Sequence, residues 1–260
     1  MAKTVRIMSW NVNGLRAAAK KGILEWIARE SPDIVCIQET KMVPDQLTDE
    51  LRHPAGYDSY WHGAEVKKGY SGVGVYTKVA AVRVETSMGE KRFDEEGRFL
   101  RLDFPQFVLL NVYFPNGKMN AQRLRYKMDF YEAFLAYAED LRKRSPKLIF
   151  LGDVNTAHTE MDLARPKENA TVSGFLPIER AWIDEVVSRG YVDTFRHLHP
   201  KEVKYSWWDL KSRARERNVG WRIDYVFVSR ELLPAVNAAF ILDNVMGSDH
   251  CPVGIDLVTT

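Results

Sequence analysis

Short apolar runs that stop abruptly at a polar side chain recur along this chain. Val5 to Trp10 runs into Asn11 and Asn13, Ile34 to Ile37 into Gln38 and Glu39, and Val108 to Tyr113 into Pro115 and Asn116. Leu148 to Leu151 runs into Gly152, Asp153 and Asn155. Arg222-Ile223 leads into Asp224 and a further apolar run, and Gly247-Ser248 into Asp249 and His250. Runs of this length and composition predict buried strands. Tyr70 to Lys78 and Arg98 to Phe104 alternate as sheet strands do, and Phe107 to Phe114 follows them. The last third predicts more strand: Lys204 to Trp208, Arg222 to Val228, Ala238 to Leu242 and Val253 to Val258.

Three segments carry helical periodicity instead. Leu15 to Arg29 places Ile23, Leu24 and Ile27 on one face. Asn120 to Arg144 has a stripe of Tyr126, Phe130, Phe134, Tyr137 and Leu141, which an ordinary core face explains. Pro177, suited to the first helical position, opens a helix that ends by Gly190. Strands and helices do not alternate regularly, and no linker or repeat divides residues 1–260. The expected fold is therefore a single α/β domain of two mixed sheets packed face to face, with helices outside.

Composition narrows this little. Hydrophobic residues make up 45% and charged residues 28%, ordinary for a globular protein, and the net charge is +2. Cys36 and Cys251 sit in apolar strands, and no Cys/His spacing suits zinc. With no signal peptide and no membrane-length apolar run, a cytoplasmic, reducing location is expected, without membrane attachment. The arrangement of charge says more. Lys118, Arg123, Arg125 and Lys127 cluster in one stretch, which a solvated helix face explains. Lys211, Arg213, Arg215, Arg217 and Arg222 cluster in another, bracketed by Trp207, Trp208 and Trp221. Aromatic walls beside basic groups suit a nucleic-acid strand with a displaced sugar or base.

The polar residues at the run ends are of types that suit phosphate chemistry. Gly152-Asp153-x-Asn155 puts a carboxylate and an amide on one side of an extended segment, where the first can take a proton from water; a plain turn is the competing reading. Glu39 at a buried strand end needs a partner, either a hard cation shared with Asn11 and another carboxylate, or Lys41 in a simple ion pair. Asp249 could hold such a cation or its water. His250 could contact a phosphoryl oxygen, with Asp224 fixing its tautomer. Tyr113 and Asn116 flank Pro115; the tyrosine could bind phosphate, or assist a leaving group if its pKa were lowered. His158 could brace the Asp153 loop. Gly72-x-Gly74 lies within a strand and is no dinucleotide fingerprint, and neither a G-x-S-x-G nor a phosphate-loop motif occurs.

Taken in order, Ser9-Trp10-Asn11-Val12-Asn13-Gly14-Leu15-Arg16, Gln38-Glu39-Thr40-Lys41, Tyr113-Phe114-Pro115-Asn116, Gly152 to His158, Ser173-Gly174-Phe175, Asn218 to Tyr225 and Ser248-Asp249-His250-Cys251-Pro252 closely resemble the exonuclease III family of abasic-site (AP) endonucleases over nearly the whole chain. The resemblance implies a four-layer α/β sandwich and a monomeric phosphodiesterase acting on double-stranded DNA with abasic or damaged sites. It implies Mg²⁺, with Mn²⁺ as a substitute, at Glu39, with Asn11 and Asp249 near the metal or its water. Asp153 would position or activate the attacking water, and Asn155 would orient it and the phosphate. Tyr113, Asn116 and His250 would contact the phosphate, Asp224 pairing with His250. Trp207, Trp221 and Ile223 match the family's pocket for an extruded abasic sugar. Met119 and the Lys211 to Arg213 stretch fall where relatives place residues that penetrate the helix. Position 13 is Asn where some relatives carry Asp. The rival readings are another phosphodiesterase of the same fold, expected to show disulfides or a lipid-facing loop, and a silent DNA-binding protein, expected to lack Glu39, Asp153 or His250.

Overall fold

The computed structural model describes residues 3–259. Two six-stranded mixed sheets dominate it. The first contains Lys3–Asn11 (β1), Ile34–Gln38 (β2), Asp58–His62 (β3), Val73–Thr77 (β4), Val236–Ile241 (β13) and Val253–Thr259 (β14). The second contains Arg83–Glu85 (β5), Phe99–Asp103 (β6), Val108–Val112 (β7), Leu148–Asp153 (β8), Tyr191–Asp193 (β9) and Asp224–Ser229 (β12). Trp207–Trp208 (β10) and Gly220–Trp221 (β11) form a separate two-stranded ribbon. Within the first sheet the order is β13-β14-β1-β2-β4-β3, with β1 and β2 parallel; within the second it is β5-β6-β7-β8-β12-β9, with β7 and β8 parallel.

Successive side chains of a strand point to opposite faces, so a strand buried on both faces is apolar throughout. Ile7, Ile34, Cys36 and Val75 of the first sheet meet Leu100, Leu109, Ile149 and Val226 of the second in one inner core. Their neighbours Met8, Val35 and Ile37 turn outward onto Leu15, Trp26 and Ile27. Leu110, Phe150 and Phe227 turn outward onto Phe130, Phe134 and Trp182. The result is helix, sheet, sheet, helix, the four layers expected. Gln38 and Asn111 cross the inner core: Gln38 Nε2 donates to Asn111 Oδ1 at 2.7 Å, and Asn111 Nδ2 donates to the carbonyls of Ile37 and Gly74. Buried amides joined in this way fix the relative register of two apolar sheets that could otherwise slide.

Several predicted boundaries shift for physical reasons. The first helix breaks into Leu15–Ala19 and Ile23–Glu30, because Gly22 adopts φ 88° and turns the chain. Of the run from Lys204 only Trp207–Trp208 pairs, in the ribbon and not in either large sheet. The long helix, Ala121–Arg144, buries Phe130, Phe134 and Leu141 as expected, while Tyr126 and Tyr137 lie half-buried at its edges. It also buries Lys127 completely, which the apolar stripe does not foresee.

Arg222 corrects an expectation outright. It is 1% exposed, and its guanidinium donates to Asp162 at 2.7 Å and meets Asp193 at 2.8 Å. Arg196 shares Asp162. Arg222 thus belongs to a buried ion cluster and has no surface to offer DNA. Burial by itself would raise the pKa of Asp162, but Arg222 and Arg196 outweigh it and hold the carboxyl well below the usual range. A depressed carboxyl stabilises the fold above its unfolded pKa, about 3.9, and loses that effect as pH falls towards the folded value. Asp162→Asn is expected to cost about 3 kcal/mol in urea unfolding at neutral pH. The difference from the wild type should shrink below about pH 4, and a constant difference there would refute the ionic origin of the effect.

Candidate active site

One rim of the sandwich gathers the polar residues. The C-terminal ends of β1, β2, β7 and β8 deliver Asn11, Glu39, Tyr113 and Asp153. Because β12 runs antiparallel to β8, its first residue, Asp224, sits directly opposite Asp153 in the ladder. Because β14 runs antiparallel to β1, the segment entering it brings Asp249 and His250 to the same edge. Gly152 makes the crowding possible. At φ 134° it adopts a conformation that suits glycine, and a Cβ there would lie 1.9 Å from the Val112 carbonyl oxygen.

Asp153, Asp224 and His250 are all buried and offer ligand-type atoms within 4.8 Å of one another. They form a row in which His250 stands between the two carboxylates. His250 Nδ1 lies 2.8 Å from Asp224 Oδ2, and Nε2 lies 3.8 Å from Asp153 Oδ2. Ser206 Oγ donates to Asp224 Oδ2 at 2.7 Å and accepts from the backbone N–H of Ile223 and Asp224. Nothing in the sequence marks Ser206, since its partner lies on another strand. Burial works against a charged imidazole, but Asp224 and Asp153 outweigh it and raise the His250 pKa to about 10. Burial, reinforced by Asp224 and opposed by His250, raises that of Asp153. A carboxylate so placed is a better proton acceptor than one in water.

Asp153 is held from three directions. Its Oδ2 accepts from Asn11 Nδ2 at 2.9 Å and from Asn155 Nδ2 at 3.2 Å, and its Oδ1 accepts from the Asn155 backbone N–H at 2.8 Å. This is both the turn and the site that the motif left as alternatives. Asn155, at φ 57°, accepts from Asn116 Nδ2 at 2.9 Å. Beneath the loop the buried Lys127 donates to the Asn155 carbonyl, Thr156 and Glu179. Glu179 in turn accepts from Ser173 and Gly174. His158 does not reach Asp153; it pairs with Asp184 at 2.8 Å and ties the end of the loop to the Pro177–Ser188 helix.

Glu39 lies beside this row, with a side chain 20% exposed. Its Oε2 accepts from Asn11 Nδ2 at 3.1 Å and from Tyr113 Oη at 3.0 Å, while Oε1 meets Lys41 at 3.0 Å. The ion pair is therefore present, and Asn11 turns its amide nitrogen towards the carboxylate while its oxygen accepts from the Asn13 N–H. Lys41 also contacts Asn13 Oδ1, and Asn13 Nδ2 donates to Asp249 Oδ1 at 2.9 Å. Lys41 and Asn13 together thus link Glu39 to Asp249. Burial and the Glu39 carboxylate raise the Tyr113 pKa well above its ordinary value. Its hydroxyl donates to the Glu39 carboxylate.

Beyond the row lies an aromatic cluster: Trp221, Ile223, Leu163 and Phe175, with Trp207 half-buried against them. Trp207 Nε1 donates to Asp249 Oδ2 at 3.1 Å. Exposed side chains flank the cluster: Lys118 and Met119 on one loop, Lys211, Arg213 and Arg217 on another. Arg215 departs from its expected role. It lies against Trp208 and donates to the carbonyls of Asp243, Val245 and Ser248, so it clamps the segment leading to Asp249 and His250.

The fold and rim define a class, an α/β sandwich built for phosphoester chemistry. Residues 8–250 match the model of the endonuclease/exonuclease/phosphatase family. A Bacillus subtilis exodeoxyribonuclease is 43% identical over 96% of this chain and 98% of its own length. The zebrafish (Danio rerio) DNA repair nuclease APEX1 is 41% identical over 98% of this chain and 83% of its own. Among solved structures, an AP endonuclease from Leishmania major superposes with a TM-score of 0.89 at 32% identity, over 99% of this chain and 89% of its own. A Neisseria 3′ phosphatase bound to product DNA hairpin superposes at 0.90 with 26% identity, over 97% and 99%. The chain belongs to the endonuclease/exonuclease/phosphatase family and, within it, to the exonuclease III group of AP endonucleases.

Nitrogen NMR of metal-free protein is expected to show His250 as the charged imidazolium at about pH 8. Asp224→Asn should bring its titration down by at least about one unit. A neutral ring in the wild type at that pH would contradict the charge arrangement.

Proposed function

We propose that this protein hydrolyses the phosphodiester 5′ to an abasic site in duplex DNA, leaving a 3′-hydroxyl and a 5′-deoxyribose phosphate. The observation that carries this reading is the buried Asp153–His250–Asp224 row beside the Trp207, Trp221 and Ile223 cluster. A proton acceptor and a cationic donor next to an aromatic cluster fit a phosphate whose sugar has left the helix. An abasic nucleotide is the cheapest to extrude, because little stacking is lost.

Each residue then has a task. Asp153, oriented by Asn11 and Asn155, holds the attacking water and takes its proton. His250, kept charged by Asp224, donates to a phosphoryl oxygen. Tyr113 and Asn116 donate to the phosphate. The carboxylates of Glu39 and Asp249 offer oxygen, and Asn11 would add its amide oxygen by turning over from its present contacts, a donor set that suits Mg²⁺ or Mn²⁺ and not a thiophilic metal. Bound there, the ion would neutralise the phosphate and the charge on the leaving oxygen. Lys118, Lys211, Arg213 and Arg217 would track the backbone, with Met119 at the helix. The protein would act as a monomer, and the pairing of the last strand with the first supports one domain over 1–260. Among the described residues no helix is long and apolar enough to cross a membrane.

Incubation with a duplex carrying one abasic site should give a single 5′ incision with Mg²⁺ and none with EDTA; intact DNA with Mg²⁺ would overturn the reading. Asp153→Asn should slow turnover by at least about 100-fold while duplex binding persists. Lys211→Gln should lower the salt dependence of binding by about 0.9 in log–log slope, an unchanged slope excluding a phosphate contact there.

A further inference from the structure

Lys127 and Glu179 meet at 2.6 Å, both fully buried, between the long helix and the active-site rim. Among the described residues their side chains bond, beyond each other, to two segments. The Lys127 ammonium has three protons. One goes to Glu179, and the others go to the Asn155 carbonyl and Thr156 Oγ1, each at 2.8 Å, just beyond Asp153. Glu179 accepts from Ser173 Oγ at 2.8 Å and from the backbone N–H groups of Gly174 at 2.6 Å and Leu176 at 3.0 Å, on either side of Phe175. Phe175 belongs to the aromatic cluster with Trp221 and Ile223. The two segments also touch directly. Ala157 N donates to the Gly174 carbonyl at 2.8 Å, and a Cβ at Gly174 would lie 3.2 Å from the Trp221 ring and 3.3 Å from the Asn155 carbonyl oxygen. For stability alone, apolar residues of similar volume often serve as well as a buried ion pair. A pair whose remaining bonds all run to two facing segments fixes the distance between them.

We propose that Lys127 and Glu179 are a positioning pair that sets the spacing between Asp153 and the aromatic cluster, so that a sugar held against Trp221 brings its phosphate to Asp153. Neither residue touches the reacting atoms. Lys127 holds the turn at Asn155, whose backbone N–H and side-chain amide fix the Asp153 carboxylate. Glu179 holds the backbone on both sides of Phe175. The two groups act on neighbouring parts of one substrate, and a misplacement of about 1 Å between them can cost about 100-fold in rate. The proposal rests on the function given above, in which Asp153 serves the water and the cluster serves the sugar.

The test compares the full-length wild type with a double variant carrying Lys127→Met and Glu179→Gln. Glutamine keeps an acceptor for the Gly174 and Leu176 N–H groups, and methionine fills the space of the lysine. No buried charge is orphaned, and what is lost is the link between the two segments. Urea unfolding should show a folded protein. On a duplex with one tetrahydrofuran abasic analogue, the single-turnover incision rate with Mg²⁺, per folded molecule, should fall at least about tenfold, while the duplex Kd in EDTA stays within about threefold. A rate equal to that of the wild type, or a Kd that weakens in step with the rate, would overturn the proposal. If the double variant does not fold, Glu179→Asp, which keeps both charges and shortens the link by one carbon, is measured in its place against the same outcomes. Wild-type incision checks the proposed function separately. Without it both readings fail, whereas wild-type incision with an undiminished rate in the variant removes the positioning role alone.

Discussion

Two carboxylates face each other across one step of the β8–β12 ladder, out of reach of bulk water. Asp153 and Asp224 would repel each other there, and neither could remain ionised alone without a large solvation cost. His250 resolves this by lying between them, hydrogen-bonded to Asp224 and 3.8 Å from Asp153. The charge balance depends on three strand ends meeting at one height. Much of the surrounding structure follows from holding them there.

That support is mostly polar and mostly buried. Trp10 Nε1 donates to the His250 carbonyl, Ser206 fixes Asp224, and Arg215 clamps the approach to Asp249. On the other flank Lys127 and Glu179, both fully buried, carry the loop beyond Asp153. A buried ion pair stabilises little unless its remaining hydrogen-bonding capacity is used. Here Lys127 has three partners and Glu179 accepts from three further donors, so the pair acts as a rigid joint between the long helix and the rim. A row so constrained keeps its geometry before any ligand arrives, which is what electrostatic preorganisation requires.

The apolar runs at β1, β2, β7 and β8 were legible because both faces of these strands are buried, so the pattern is continuous and its end is sharp. Strand β3 was not, since its residues are only partly buried, and neither were the three-residue strands β5 and β9. The break at Gly22 was hidden because the apolar face continues across it. Asp153, Glu39 and His250 stood out because a polar group ending a buried run needs a reason. Arg222 misled because a basic residue beside tryptophans looks like surface, whereas its partners Asp162 and Asp193 lie far away in sequence.

The order and type of the polar residues at strand ends are properties of the sequence alone. They determined the layered fold, the family and the identity of the groups that meet, because burial forces each polar terminus to find a partner. Which partner each finds was decided only in three dimensions. The antiparallel return of β12 and β14 sets Asp224 opposite Asp153 and puts His250 between them, and no local pattern encodes a register between strands so far apart in the chain. The same holds for Lys118. In the sequence it is one basic residue among several, and the fold lays its amine over two indoles contributed by a distant ribbon.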